Sequence, residues 1–208
     1  MHKNSFLKAI MAGLMIGFAG IIYLSLENRI IGALFFSFGL LMVVSKGYFL
    51  YTGKVGYALP YEKGYLKILV QTLIGNVIGI MSLGLLFRFT GLSDIILKSE
   101  VIFLGKLDKS WYETLILAVF CGMMMYIAVE NYKKLEIPLL RVLIVIMPVA
   151  IFILASFEHS VANMLYMSMS LTFTLKAMIY LILWITGNAI GAVTLNLIEV
   201  KLVEQQAK

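Results

Sequence analysis

Charge is the first thing this chain lacks. Asp, Glu, Lys and Arg make up 13% of its 208 residues, against about 25% in a soluble domain. Cysteine is nearly absent: Cys121 stands alone inside an apolar stretch, so no intrachain disulfide can form and the redox compartment is left undetermined. Only two histidines are present, His2 in the N-terminal tail and His159 in an apolar run. There is no Gly-x-Ser-x-Gly nucleophile elbow, which argues against a hydrolase built on that turn. Nor is there a basic patch. The net charge is +6, but the cations are split among short segments between apolar runs, a distribution unsuited to nucleic acid.

What fills the chain is hydrocarbon: 62% of residues are hydrophobic and the mean hydropathy is +0.97. A helix needs about 20 mostly apolar residues to cross a bilayer. Six stretches qualify, at roughly 6–26, 30–52, 66–90, 111–130, 138–169 and 171–198. The expectation is an all-α integral membrane protein, one transmembrane domain over 1–208 with no room for a soluble domain. The first stretch is long, rich in glycine and without a convincing small-residue cleavage site, so it reads as a span and not a signal peptide. Lysine and arginine set orientation. With the N-terminus in the cytoplasm, ten of them fall inside and six outside, Lys46 lying too deep in a span to assign, which favours both termini cytoplasmic.

The costliest insertion is Phe157-Glu158-His159-Ser160-Val161-Ala162-Asn163, an acid, an imidazole and an amide inside the fifth stretch. Ionisable groups at membrane depth face a protein interior or a watery path, so this segment is the default functional site. A short string also recurs: Gly75-Asn76-Val77-Ile78-Gly79 in the third stretch and Gly187-Asn188-Ala189-Ile190-Gly191 in the sixth. Three spans separate the copies, an odd number, so the two halves run in opposite directions, an inverted repeat of the kind found in transporters. Each string is also a Gly-x-x-x-Gly face for close helix packing. The middle span of each half is interrupted, from Ser45 to Lys54 in the second and from Ser156 to Asn163 in the fifth. Non-helical backbone at that depth survives only where it is buried or lines a cavity. Thirteen methionines, with Met123 to Met125 consecutive, raise the question of a soft metal. That run points around one helix with only Cys121 near it, so gap filling is the better account, and neither metal nor cofactor is expected.

These residues resemble the formate/nitrite transporter family. Phe157–Asn163, preceded by Met147-Pro148 and followed by Met164, is similar to that family's fifth-span motif; Leu50-Tyr51-Thr52-Gly53 looks like its loop in the broken second span. Lys106, within Gly105–Glu113, falls where the family has a vestibule lysine, and Gly187–Gly191 is similar to its sixth-span motif. The resemblance implies an aquaporin-like protomer of six transmembrane helices in two inverted three-helix repeats, with broken second and fifth helices, assembled as a homopentamer in the cell membrane. It implies a channel for a small monovalent anion (formate, nitrite or hydrosulfide) and not an enzyme. The central pore histidine maps to His159, the apolar constrictions to Leu40 and Phe152, and Tyr51 takes a loop position usually held by phenylalanine. Thr52 and Asn188 would supply polar contacts to the histidine or the passing anion. Departures from the pattern leave the anion open: Phe49 stands where some formate channels carry an acid, Lys54 follows the Thr-Gly pair, and Gly122 replaces a common asparagine.

Desolvation is the obstacle for an anion in an apolar constriction, and protonation removes most of it. Lys106 would attract the anion in a vestibule, and His159 would donate a proton or a neutral hydrogen bond. Glu158 and Asn163 are expected to support the helix break. Two rivals stand beside the channel: a proton-coupled anion symporter, and an intramembrane hydrolase using Ser160 or Ser156 with His159 and Glu158, which neighbouring residues on a broken helix are poorly placed to build.

Overall fold

The computed structural model describes residues 4–206, and every regular element among them is helical. The chain runs through α1 (Ser5–Ser25), α2 (Arg29–Lys46), the one-turn α3 (Tyr51–Lys54), α4 (Tyr65–Phe87), α5 (Ser93–Leu107), α6 (Trp111–Lys134), α7 (Pro138–Leu154), α8 (Ser160–Ser170) and α9 (Leu175–Gln206). Helices α1, α2, α4, α6 and α9 are each long and apolar enough to cross a membrane. The remaining crossing is shared by α7 and α8, of 17 and 11 residues, which meet at a non-helical link. Large apolar side chains such as Leu34, Phe35, Phe38, Ile74 and Ile182 stay exposed along these helices, the face a bilayer would cover.

The inverted repeat is built by equivalent close approaches. α1 packs along α4 as α6 packs along α9. A Cβ on Gly75 would lie 2.5 Å from that of Ala9, and one on Gly187 would lie 2.5 Å from that of Ala118. One on Gly79 would strike the Ile10 carbonyl, and one on Gly191 the Val119 carbonyl. Both glycine pairs therefore pack helices, as the Gly-x-x-x-Gly spacing allows. The short pieces are exchanged between halves: α8 packs on α4, and the 3₁₀ turn after α3 (Val55–Ala58) packs on α9.

Both interruptions are shorter than expected. α2 continues to Lys46 and stops at Gly47, whose φ of 62° lets its N–H reach back to the Val43 and Val44 carbonyls. Helix resumes at Tyr51, so Tyr51-Thr52-Gly53 form a helical turn and not a loop. In the other half α7 ends at Leu154 and α8 begins at Ser160, which puts Asn163 inside a helix. At this end Ser156 adopts φ 58° without being glycine. Arg29 holds it there: its guanidinium donates to the Ile153 and Leu154 carbonyls, both at 3.0 Å, and to Ser156 Oγ at 2.7 Å, satisfying acceptors that a helix end leaves open.

One element lies outside the six expected stretches. Residues 93–107 form α5, which packs on α8 and puts Lys106 in its last turn, not in an open loop. Lys98 fastens this helix by donating to the Leu24 and Leu26 carbonyls at the end of α1. Its polar residues made α5 too hydrophilic for a span.

Candidate functional site

Two asparagines organise the two breaks in the same way. Asn76 Oδ1 accepts from Tyr51 N at 2.8 Å, the first amide of α3, while its Nδ2 donates to the carbonyls of Phe49 and Ala9, both at 2.8 Å. Asn188 Oδ1 accepts from Ser160 N at 2.9 Å, the first amide of α8, while its Nδ2 donates to the carbonyls of Glu158 and Ala118, both at 2.8 Å. The backbone follows suit: Phe49 N donates to the Lys8 carbonyl of α1 and Glu158 N to the Leu117 carbonyl of α6, each at 3.2 Å. Buried backbone groups need partners, and one amide side chain supplies three of them at each break. All of Asn188's amide bonds therefore go to backbone. The geometry gives it a clamping task in place of the expected contact with histidine or anion.

This symmetry sets Leu50 opposite His159 and Phe49 opposite Glu158. His159 is the N-cap of α8, and its Nδ1 accepts from Ala162 N at 3.1 Å. A neutral imidazole with Nδ1 accepting carries its proton on Nε2. That nitrogen is 3.0 Å from Thr52 Oγ1, so Nε2–H donates to the threonine, whose own hydroxyl proton stays free to point elsewhere. The two broken helices thus meet through one side-chain bond between α3 and the start of α8. Phe152 stacks on the imidazole with centroids 5.5 Å apart and 24° between planes. His159 and Thr52 are 2% and 1% exposed, and Leu40 on α2 is buried in the same hydrophobic core as Phe152.

Ser160 Oγ is buried without a hydrogen-bond partner among the described residues. Both ring nitrogens of His159 are engaged elsewhere, so no Ser–His nucleophile pair exists here.

A cavity of about 320 Å³ opens toward the start of α2 and the end of α7, lined by Arg29, Lys106, Lys109, Phe152, His159 and Tyr166 among others. Behind its lining lysines Glu158, fully buried, takes Lys106 Nζ at 2.7 Å and Asn163 Nδ2 at 2.8 Å on Oε2, and Lys109 Nζ at 2.6 Å on Oε1. A buried carboxylate persists only when paired and hydrogen-bonded in this manner. Two ammonium groups on one carboxylate leave a surplus positive charge facing the cavity. Lys109 and Arg29 were not singled out from sequence. The spacing of Lys109 from Lys106 is compatible with a shared target only once α5 and the turn after it are in place.

A second cavity, of about 260 Å³, opens at the other ends of the same helices, by the end of α2 and the start of α7, and is lined by Leu50, Gly53, Lys54, Lys133 and Arg141 among others. Leu40, Tyr51 and Thr52 line neither cavity. Tyr51 donates its hydroxyl to the Ile185 carbonyl of α9 at 3.3 Å, and its neighbour Leu50 is among the residues that line this second opening.

Two basic openings thus lie at opposite ends of the inverted repeat, and the buried His159 lines one of them. Residues 2–199 match the family model described as formate/nitrite transporter. The chain belongs to the formate/nitrite transporter family. Its curated relatives include the formate channel FocA of Haemophilus influenzae, 25% identical over 193 residues that cover 80% of this chain and 66% of that one. The formate channel FocB of Escherichia coli (strain K12) is 25% identical over 179 residues, covering 76% and 64%. The chain thus spans slightly less than two thirds of the length of these relatives. Among solved structures, a pentameric formate channel with formate bound superposes with a TM-score of 0.83 at 23% identity, covering 97% of each chain. A structure described as an FNT family ion channel gives 0.83 at 22% identity, covering 96% of this chain and 90% of that one. The formate/nitrite transporter fold, with six crossings and both middle helices broken, is the fold of this multi-pass membrane protein. Its relatives are channels and not enzymes.

Proposed function

We propose that this family member conducts small monovalent anions, formate, nitrite or hydrosulfide, through each protomer of a homopentamer in the cell membrane. One observation carries the reading: the only buried histidine among the described residues sits at the meeting point of both broken helices, bonded to Thr52 and reached by a basic cavity. Lys106, with Lys109 and Arg29, concentrates anions in that cavity by Coulomb attraction. Phe152 and Leu40 exclude water on either side of His159, and the Nε2–H of the imidazole, shared with Thr52, is the hydrogen-bond donor that meets the desolvated anion. Glu158, Asn163 and Asn188 position the histidine through the backbone of the break; Tyr51 anchors α3 against α9. Six crossings return both termini to one face. The segments around Lys54, Lys63, Lys67, Lys133, Lys134 and Arg141 lie on that face, and their charge favours the cytoplasm.

The Nε2 proton also supports a second reading, proton-coupled anion transport, in which the imidazole passes that proton to the anion and is recharged. The two differ in current. Voltage-clamped bilayers separate them: ohmic anion current marks a channel, and electrically silent uptake driven by a pH gradient marks cotransport.

The decisive variant is His159→Phe in proteoliposomes tested with formate, nitrite, hydrosulfide, lactate and chloride. Flux of the small anions falls at least about tenfold, the order expected when a buried donor to a charged group is removed, while the oligomer on size exclusion is unchanged. Unaltered permeation and selectivity in that variant would refute the role given to the imidazole.

A further inference from the structure

Charge gathers anions without telling them apart. At the termini's face Lys54 Nζ sits 3.7 Å from the centroid of the Phe49 ring and Lys8 Nζ 5.6 Å from it, whereas beside His159 the lysines share the Glu158 carboxylate. Each ammonium acts as a compact point charge. Choosing among small anions of equal charge requires a directional donor, one that an ill-matched anion leaves unpaired.

The face of α8 that borders the cavity of about 320 Å³ carries His159, Ala162, Asn163 and Tyr166, the i, i+3, i+4, i+7 spacing of one helix stripe. Other polar groups on this wall are spent inside the protein. The imidazole donates to Thr52 and accepts from Ala162 N, Asn163 Nδ2 donates to Glu158, and Arg29 Nη2 closes the end of α7. Tyr166 differs. It is only 6% exposed, yet its hydroxyl makes no hydrogen bond to any described residue. Nor is that hydroxyl sealed in. The buried side-chain polar atoms without a partner among the described residues are Thr72 Oγ1, Ser99 Oγ, Thr114 Oγ1, Ser160 Oγ and Trp184 Nε1. The Tyr166 oxygen therefore reaches open space, and the open space that Tyr166 borders is this cavity. Lys106 Nζ stands 5.9 Å from the centroid of the same ring, so a source of charge and a source of direction share one corner. Tyr23 of α1 also lines the cavity, but it is only partly buried and packs edge-on against Phe36, so water can satisfy its hydroxyl.

We propose that Tyr166 is a specificity-determining residue of this channel: its O–H and the Lys106 ammonium together hold an anion that bears oxygen, formate or nitrite, in preference to hydrosulfide or chloride. The inference rests on the conduction reading and narrows its substrate class. A hydroxyl donating to a charged oxygen makes a short, strong bond. Sulfur is a weak acceptor, so hydrosulfide leaves the buried hydroxyl poorly paired. Two oxygens also let one anion take the hydroxyl on one side and the ammonium on the other.

The test uses Tyr166→Phe in the full chain, reconstituted in liposomes, with initial fluxes of formate, nitrite, hydrosulfide and chloride measured below half-saturation. Losing the hydroxyl lowers formate and nitrite flux about tenfold relative to hydrosulfide, the scale of one hydrogen bond to a charged group. Hydrosulfide and chloride fluxes stay within about twofold of wild type, since the ring and the Lys106 charge remain. Independently of flux, fluorotyrosine incorporated in place of Tyr166 gives a fluorine resonance that moves on adding formate or nitrite and not on adding chloride. A conducting wild-type protein whose formate-to-hydrosulfide ratio survives in Tyr166→Phe would overturn the assignment and leave the channel standing. A uniform fall of all four fluxes would mean that the side chain only shapes the cavity, and overturns it too. A wild-type protein that conducts none of the four refutes the conduction reading, and the fluorine titration then decides the residue by itself. No shift with formate, or an equal shift with chloride, overturns it. The same titration decides if Tyr166→Phe does not assemble.

Discussion

The two helix breaks share a backbone arrangement and differ in their side chains. Asn76 and Asn188 make the same three bonds at corresponding points, and the glycines flanking each asparagine bring corresponding pairs of helices together, α1 with α4 and α6 with α9. On this common frame one break carries Phe49 and Leu50, the other Glu158 and His159. The duplicated part solves a problem both halves face, which is how to leave helical geometry inside a membrane without orphaning amides. The unduplicated part carries the chemistry. An apolar residue is set against a hydrogen-bonding one across the middle, and bare lysines at one mouth are set against carboxylate-paired lysines at the other.

The largest effects come from breaking the shared frame. Asn188→Leu and Asn76→Leu each leave one amide (Ser160 or Tyr51) and one carbonyl of the break (Glu158 or Phe49) without the asparagine in buried surroundings, at about 1–3 kcal/mol apiece. Both variants should lose about 2–6 kcal/mol, read as a lowered thermal midpoint and a poor yield of assembled oligomer. A large loss at only one of the two positions would show that the breaks are not equivalent supports.

Next comes the link between the halves. Thr52→Val keeps the shape and removes the acceptor of His159 Nε2–H, so anion flux should drop about tenfold, as for an orphaned buried donor. Thr52→Ser should retain most of it. Equal flux in both would mean that the threonine only packs.

Phe49→Glu makes the two mouths alike, by placing a carboxylate beside Lys54 and Lys8 where the other half has Glu158 beside Lys106 and Lys109. Half-saturation from the termini's face should rise about three- to fivefold from the lost surplus charge. A fall would mean that acidity at this position assists entry.

Much of this fold is legible in the residues themselves. The apolar runs mark the crossings because each must fill a bilayer thickness, and the recurring Gly-Asn-x-x-Gly string marks the inverted halves because both make the same close contact. The polar run around His159 stands out because nothing apolar would fold differently without it. Less legible was α5, whose Lys98, Glu100 and Lys106 lower its hydropathy although it packs within the bundle. The lengths of the breaks were overestimated, since a helix can resume at Tyr51 or Ser160 only when a distant asparagine takes the first amide.

The sequence by itself determined the membrane class, the number of crossings, the repeat and the one interior histidine, because these follow from local composition and spacing. Tertiary structure alone decided what the polar groups do: that Asn188 clamps backbone, that Lys109 joins Lys106 on Glu158, that Thr52 accepts the histidine's proton, and that Lys54 meets a ring where its counterpart lysines meet a carboxylate. These are relations between residues far apart in the chain. A hydrogen bond or an ion pair exists only when folding brings both partners to within bonding distance.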